Sequence, residues 1–272
     1  MFVDSHCHLS FPELAARIPD IRREMALAEV DAALLICTTV EEFAQVHALA
    51  MAHDNFWCTA GVHPDNEGVT EPDLGLLLDL AARPRVVGIG ETGLDYYRLG
   101  QRSQADMEWQ RERYRVHIRA AAATGKPLVI HTRSASADTV DILREEGGGR
   151  VGGVFHCFTE TADVARAALD LGFLISFSGI LTFRNAQDLR DVARLVPLDR
   201  CLIETDSPYL APVPYRGKVN TPALVPWVAR ELAKVKGLAV EEVALATRVN
   251  FERLFGVVTT SRQEHDHAES LL

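Results

Sequence analysis

The run "VVGIGETGLD" spans Val86–Asp95, and two folds read it differently. As a glycine-rich turn it would cradle the phosphates of a dinucleotide on an open, doubly wound sheet. As a buried strand it would carry apolar residues toward an acid, Glu91, at one end of a parallel sheet. The first reading needs the turn early in the chain. "GIGETG", the only candidate, begins at Gly88 in the middle of the chain, so the dinucleotide reading is weak.

Runs of the same kind flank it on both sides: "FVDSHCHL" from Phe2, "AALLICTT" from Ala32, "WCTAGVHP" from Trp57, "PLVIHTR" from Pro127, "GGVFHCF" from Gly152, "FLISFSG" from Phe173 and "CLIETDSP" from Cys201. Amphipathic stretches alternate with them. In "TADVARAALDLG", Val164, Ala167, Ala168 and Leu171 fall at helical spacing, and Gly172 stands where a helix ends. From Gln104 to Thr124, Met107, Tyr114, Ile118 and Ala121 share one side, and Gly125 and Pro127 stop the helix. Eight strands, each followed by a helix and apolar on both faces, predict an α/β protein with a (β/α)8 TIM-type barrel. No linker or composition break appears before the end. The chain is therefore read as one barrel domain over 1–257 and a polar, aperiodic tail over 258–272, whose His265 and His267 are expected to be solvated.

The chain has 272 residues, 47% of them hydrophobic, enough for a full core. No apolar run of about eighteen residues predicts a transmembrane helix, and no basic stretch leading into an apolar segment predicts a secretion signal. The five cysteines form no CxxC pair and lie in or beside apolar runs. Buried thiols in a reducing, cytoplasmic setting are expected. The formal net charge of -10 makes the chain a poor electrostatic partner for nucleic acid as a whole. A phosphate-bearing substrate would need local cations.

The polar residues follow a rule. His6 and His8 end the first strand, His63 the third, Glu91 the fourth, His131 the fifth, His156 the sixth and Asp206 the eighth. Strand alternation puts Asp4, His6 and His8 on one face and Cys7 on the other with Val3 and Ser5. Any one of these residues has an ordinary explanation: a satisfied core histidine, a cap, an Asx turn at Asp206. As a ring at the C-terminal end of a barrel they point to a metal centre, because burying Glu91 and Asp206 together is costly without cations. The donors outnumber the needs of one tetrahedral ion. A carboxylate bridging ions about 3.5–4 Å apart is the hydrolytic two-metal arrangement. Mixed nitrogen and oxygen donors leave Zn, Mn, Co and Mg open.

"DSHCHL", "GVHP", "GETGLDYY", "PLVIHTR", "HCFTE", "SFSGILTFRNA" and "ETDSPYLAPVPYRGKVNTP" together resemble the TatD-type metal-dependent deoxyribonucleases of the amidohydrolase superfamily, and especially their YcfH-like branch. The likeness runs from Met1 to about Val257. It implies a distorted barrel and two divalent cations, the first held by His6, His8 and Asp206, the second by His131 and His156, with Glu91 bridging. It implies hydrolysis of a phosphodiester, in the first place of DNA; the acidic net charge is compatible with single-stranded or frayed ends as substrate, and the chemistry gives Asp206 the part of orienting water and taking its proton. His63 is expected behind the ligands or against a phosphate. Asp4 and Glu204, inward by strand parity one layer below the ligands, read either as acids that orient ligating histidines or as buried structural acids. Arg98, Arg184, Arg216, Lys218 and Asn220 are candidate substrate contacts, Arg216 and Lys218 through the family motif. Tyr96, Tyr97, Phe183, Tyr209 and Tyr215 read as loop anchors before stacking platforms. The enzyme alternative is hydrolysis of a small amide, lactone or phosphate ester; a barrel kept only as a scaffold fits poorly with a full set of costly buried charges. The sequence does not specify an oligomeric state, and a monomer is compatible with it.

Overall fold

The computed structural model describes residues 1–259; the tail expected from 258 therefore lies, beyond Thr259, outside the described residues, with His265 and His267. Strands β1 (Phe2–Cys7), β2 (Val30–Leu35), β3 (Phe56–Ala60), β4 (Val86–Asp95), β5 (Leu128–Arg133), β6 (Gly153–Phe155), β7 (Leu174–Phe177) and β8 (Cys201–Ile203) form one sheet in chain order. Every neighbouring pair is parallel. The α-helices are α1 (Pro12–Ala15), α2 (Ile18–Leu27), α3 (Phe43–Ala52), α4 (Leu74–Ala81), α5 (Glu108–Thr124), α6 (Ser136–Glu145), α7 (Ala162–Asp170), α8 (Gln187–Leu195), α9 (Val225–Lys236) and α10 (Val240–Phe255). The expected (β/α)8 barrel is the observed one. No helix among the described residues is long and apolar enough to cross a membrane.

The barrel closes through a thin seam. Between β8 and β1 there is one parallel bridge, Cys7 with Ser207. The Asp206 N–H donates to the His6 carbonyl and the His8 N–H to the Ser207 carbonyl, each at 2.9 Å. Asp4 reinforces the seam: its carboxylate accepts the Thr205 N–H at 2.9 Å, the Thr205 hydroxyl at 2.5 Å and the His6 N–H at 3.2 Å. So, of its two readings, Asp4 takes the structural one: it fastens backbone and makes no bond to a histidine ring among the described residues.

The simple alternation predicted for β1 also needs correction. Val3 packs inside the barrel and Ser5 reaches Ser176 of β7 across it at 3.1 Å, while Phe2 and Cys7 pack outward. His6, next to Ser5, faces inward too, stacked on His156 at 3.8 Å. The register slips between Asp4 and Cys7, and this irregularity lets consecutive residues face one way.

The glycines of β4 have a steric cause. Gly88, Gly90 and Gly93 do match the spacing G-x-G-x-x-G, yet they lie within a strand, with no helix opening on them. A Cβ on Gly90 would fall 2.6 Å from the Val129 carbonyl oxygen, and one on Gly93 1.9 Å from that of His131; both residues also have positive φ, 151° and 126°. Glycine here lets β4 and β5 approach where the ladder shifts register. The helices follow their end signals. Thr161 caps α7 and Gly172 follows it at φ 84°; Gly125, at φ 67°, ends α5, whose Tyr114, Ile118 and Ala121 are fully buried. On α7 the fully buried positions are Ala165 and Ala168, flanked by partly buried Val164, Ala167 and Leu171.

Two apolar layers result. The larger lies between sheet and helices. The smaller fills the barrel at the N-terminal ends of the strands, where Val3, Leu34, Trp57, Val129, Val154, Leu174 and Leu202 meet Phe251 and Phe255 of α10. Among the described residues, that floor fills one end of the barrel and the cleft opens at the other.

Candidate metal centre

The strands place the polar residues at the mouth, though not always at strand ends. His6 lies inside β1 and His8 just past it. Glu91 is mid-strand in β4, which runs on to Asp95, and His131 is within β5. His156 follows β6 directly; His63 and Asp206 lie three residues beyond β3 and β8, on loops. Asp206 adopts φ 56°, a left-handed conformation that Asp tolerates better than most residues.

Their side chains converge. His6 Nε2 is 3.3 Å from His8 Nε2, 3.3 Å from Glu91 Oε2 and 3.6 Å from Asp206 Oδ1; His8 Nε2 is 3.3 Å from Asp206 Oδ1 and 3.9 Å from Glu91 Oε2. A tetrahedral site with bonds of about 2.0–2.1 Å separates its donor atoms by roughly 3.3 Å, so this set fits a cation. The other oxygen of Glu91, Oε1, lies 2.8 Å from His156 Nε2, 3.3 Å from His131 Nδ1 and 3.4 Å from His63 Nε2. His131 Nδ1 and His156 Nε2 are 3.3 Å apart. One carboxylate thus faces a donor cluster with each oxygen, and the donor groups capable of holding an ion include His6, His8 and Glu91, and His63, Glu91 and His131.

The outer nitrogens are held from behind. His131 Nε2 is 3.0 Å from Asp95 Oδ2, and His156 Nδ1 is 3.2 Å from Glu204 Oε1. Of its two readings Glu204, fully buried, takes the orienting one. Asp95 was not anticipated. Its signal was an acid of the same strand parity as Glu91, at the far end of the run "VVGIGETGLD".

The electrostatics call for positive charge. Burial drives the Glu91 carboxyl upward, but His156, His63, His6 and His131 outweigh it and hold it well below its ordinary range. Asp206 is likewise lowered against burial, by His8, His6 and His156. Burial opposes protonation of His156, yet Glu91 and Glu204 raise it well above the usual imidazole value; Asp95 and Glu91 raise His131 in the same way. His6 is lowered by burial and by the neighbouring His156. Burial similarly pulls His63 down to about 3. Asp4, away from the donors, is pushed by burial up to about 8. Two buried carboxylates held anionic among imidazoles suit bound cations.

The donors sit in a cleft of about 530 Å³ that Phe11, Arg98, Arg133, Ile180 and Tyr209 also line. Arg98 pairs with Asp65 at 3.6 Å and Arg133 with Asp95 at 2.9 Å. Neither Arg184, Arg216, Lys218 nor Asn220 is among the lining residues. Asn220 is fully buried and donates to the Thr205 and Tyr209 carbonyls at 2.9 and 2.7 Å; it braces the loop after β8 from outside the cleft lining. Arg216 lies over the Phe183 ring at 3.7 Å and Lys218 near that of Tyr215 at 5.6 Å, while Arg184 is exposed outside the cleft. Of the candidate contacts, Arg98 does line the mouth, and Arg133, not singled out in "PLVIHTR", joins it there; its place after His131 was the available signal.

A parallel barrel whose one open mouth gathers histidines around a shared carboxylate defines a metal-dependent hydrolase. The chain belongs to the family described as "TatD related DNase", whose profile matches residues 3–256. It is 49% identical over 259 residues to the uncharacterized metal-dependent hydrolase YcfH of Escherichia coli K12, covering 94% of this chain and 96% of that one. It is 35% identical over 240 residues to the 3'-5' ssDNA/RNA exonuclease TatD of Citrobacter rodentium, covering 86% and 90%. The crystal structure of YjjV, a TatD homologue of Escherichia coli K12, superposes with a TM-score of 0.86 at 27% identity over 94% of this chain and 98% of that one.

Proposed function

We propose that the chain hydrolyses phosphodiester bonds and releases nucleotides from single-stranded or frayed DNA ends, with two divalent cations at the mouth. The observation that carries this reading is Glu91 presenting one oxygen to each donor cluster. His6, His8 and Asp206 hold the first cation with Glu91; His131 and His156 hold the second. Bound there, divalent cations polarise phosphoryl oxygens and lower the pKa of water. Asp206, anionic and the most open of the acids at the centre, with 16% of its side chain exposed, orients the attacking water and accepts its proton. Asp95 and Glu204 fix the rings of His131 and His156. The Citrobacter relative's name as a single-strand exonuclease supports DNA or RNA as substrate.

The net charge of -10 and the pairing of both cleft arginines with carboxylates favour a second reading, in which the substrate is a small phosphate ester, amide or lactone. Release of mononucleotides from single-stranded DNA, abolished by chelator and restored by Mn or Zn, is the expected result. Hydrolysis of small esters with no release of nucleotides would transfer the assignment to the second reading.

A further inference from the structure

The histidines beside Glu91 are not held alike. Behind His131 and His156 stand carboxylates, Asp95 and Glu204. A carboxylate accepts, so the outer nitrogen carries the hydrogen and the inner one offers a lone pair. Behind His63 stands a donor. The backbone N–H of Asp65 donates to His63 Nδ1 at 3.0 Å. An amide cannot accept, so Nδ1 holds the lone pair and the neutral ring carries its proton on Nε2. That is the nitrogen facing the mouth, 3.4 Å from Glu91 Oε1. A protonated nitrogen has no lone pair for a cation.

We infer that His63, though its nitrogen lies among potential ligands, is a hydrogen-bond donor to substrate: Nε2–H meets a non-bridging oxygen of the scissile phosphate. This rests on the phosphodiesterase reading. At 3.4 Å from Glu91 the N–H lies outside the usual range of about 2.7–3.2 Å, and it remains available for an incoming acceptor. The backbone that carries the ring is also held in place. Arg113, itself buried, donates to the His63 carbonyl at 2.7 Å and the Asn66 carbonyl at 2.8 Å. The His63 N–H donates to Thr38 at 2.9 Å, and buried His117 accepts the Val62 N–H at 3.0 Å. A donor fixed before substrate arrives stabilises developing phosphoryl charge without reorganising.

The test uses the full chain loaded with Zn for spectroscopy and Mn for kinetics. Long-range proton–nitrogen NMR of the wild type is expected to show the Nε2–H tautomer for His63. His63→Leu and His63→Gln are expected to bind as many metal equivalents as wild type by plasma mass spectrometry. In His63→Leu, kcat on a synthetic phosphodiester falls by about 10²–10³-fold and inorganic phosphate binds about tenfold more weakly; the glutamine amide restores at least about a tenth of the wild-type kcat. An Nδ1–H tautomer, loss of one metal equivalent in both variants, or a leucine variant with wild-type kcat and phosphate affinity overturns the proposal. Should the loaded wild type cleave no phosphodiester, the phosphodiesterase reading fails separately. The tautomer, metal content and phosphate affinity then still decide between donor and ligand.

Discussion

The two ends of the barrel interior use the same strands for opposite purposes. On β5 the inward residue is Val129 at the floor and His131 at the mouth. On β6 it is Val154 and just past it His156, and beyond Leu202 of β8 come Glu204 and then Asp206. Two residues, one pleat repeat, separate a dry plug from a charged centre. The floor costs nothing to hold and stabilises the fold; the mouth concentrates buried charge that only cations and orienting partners make tolerable. Function sits where the barrel is least comfortable without its ligand.

Substitutions at each end should therefore be separable. Glu91→Gln, which weakens the group both clusters share, is expected to lower activity by about 10³-fold or more and to reduce bound metal, with the fold intact by circular dichroism. Full metal content in that variant would show that Glu91 is not the bridge. Phe251→Ala, at the floor, should cost about 3–5 kcal/mol of stability through the cavity it leaves. Its metal stoichiometry should stay that of wild type; a parallel loss of metal would show that the two ends are coupled.

A third measurement probes the wall behind His63. Burial pulls His117 down to about 4 from 6.5. The unfolded chain then takes up this proton near pH 6.5 and the native chain only near pH 4. His117 thus contributes fully above about pH 6.5, and its share, about 3 kcal/mol, is lost as pH falls through that window. Urea unfolding between pH 7.5 and 4.5 should show the decline, and His117→Gln should flatten it. Equal slopes in both proteins would remove His117 from the account.

Much of this was legible in the text of the chain. Short apolar runs alternating with amphipathic ones gave the barrel, and polar residues closing those runs gave His6, His8, Glu91, His131, His156 and Asp206 as one group, because strand parity and the barrel's active mouth are properties of pattern. The partners of Asp95, Arg133 and Asn220 were not legible. Each depends on which neighbour lies opposite: Asp95 on β4 continuing past Glu91 beside β5, Asn220 on a loop folding back over Thr205 and Tyr209.

The sequence by itself determined the fold class, the strand order and which polar residues gather at the mouth, since hydrophobic period and residue type are local and written in order. Only the tertiary structure decided that Ser5 and His6 both face inward, that Asp4 seals the seam, and that His63 Nδ1 accepts the Asp65 N–H. Those outcomes depend on register and on hydrogen bonds from backbone amides, which any residue at the partnering position supplies and no side-chain pattern encodes.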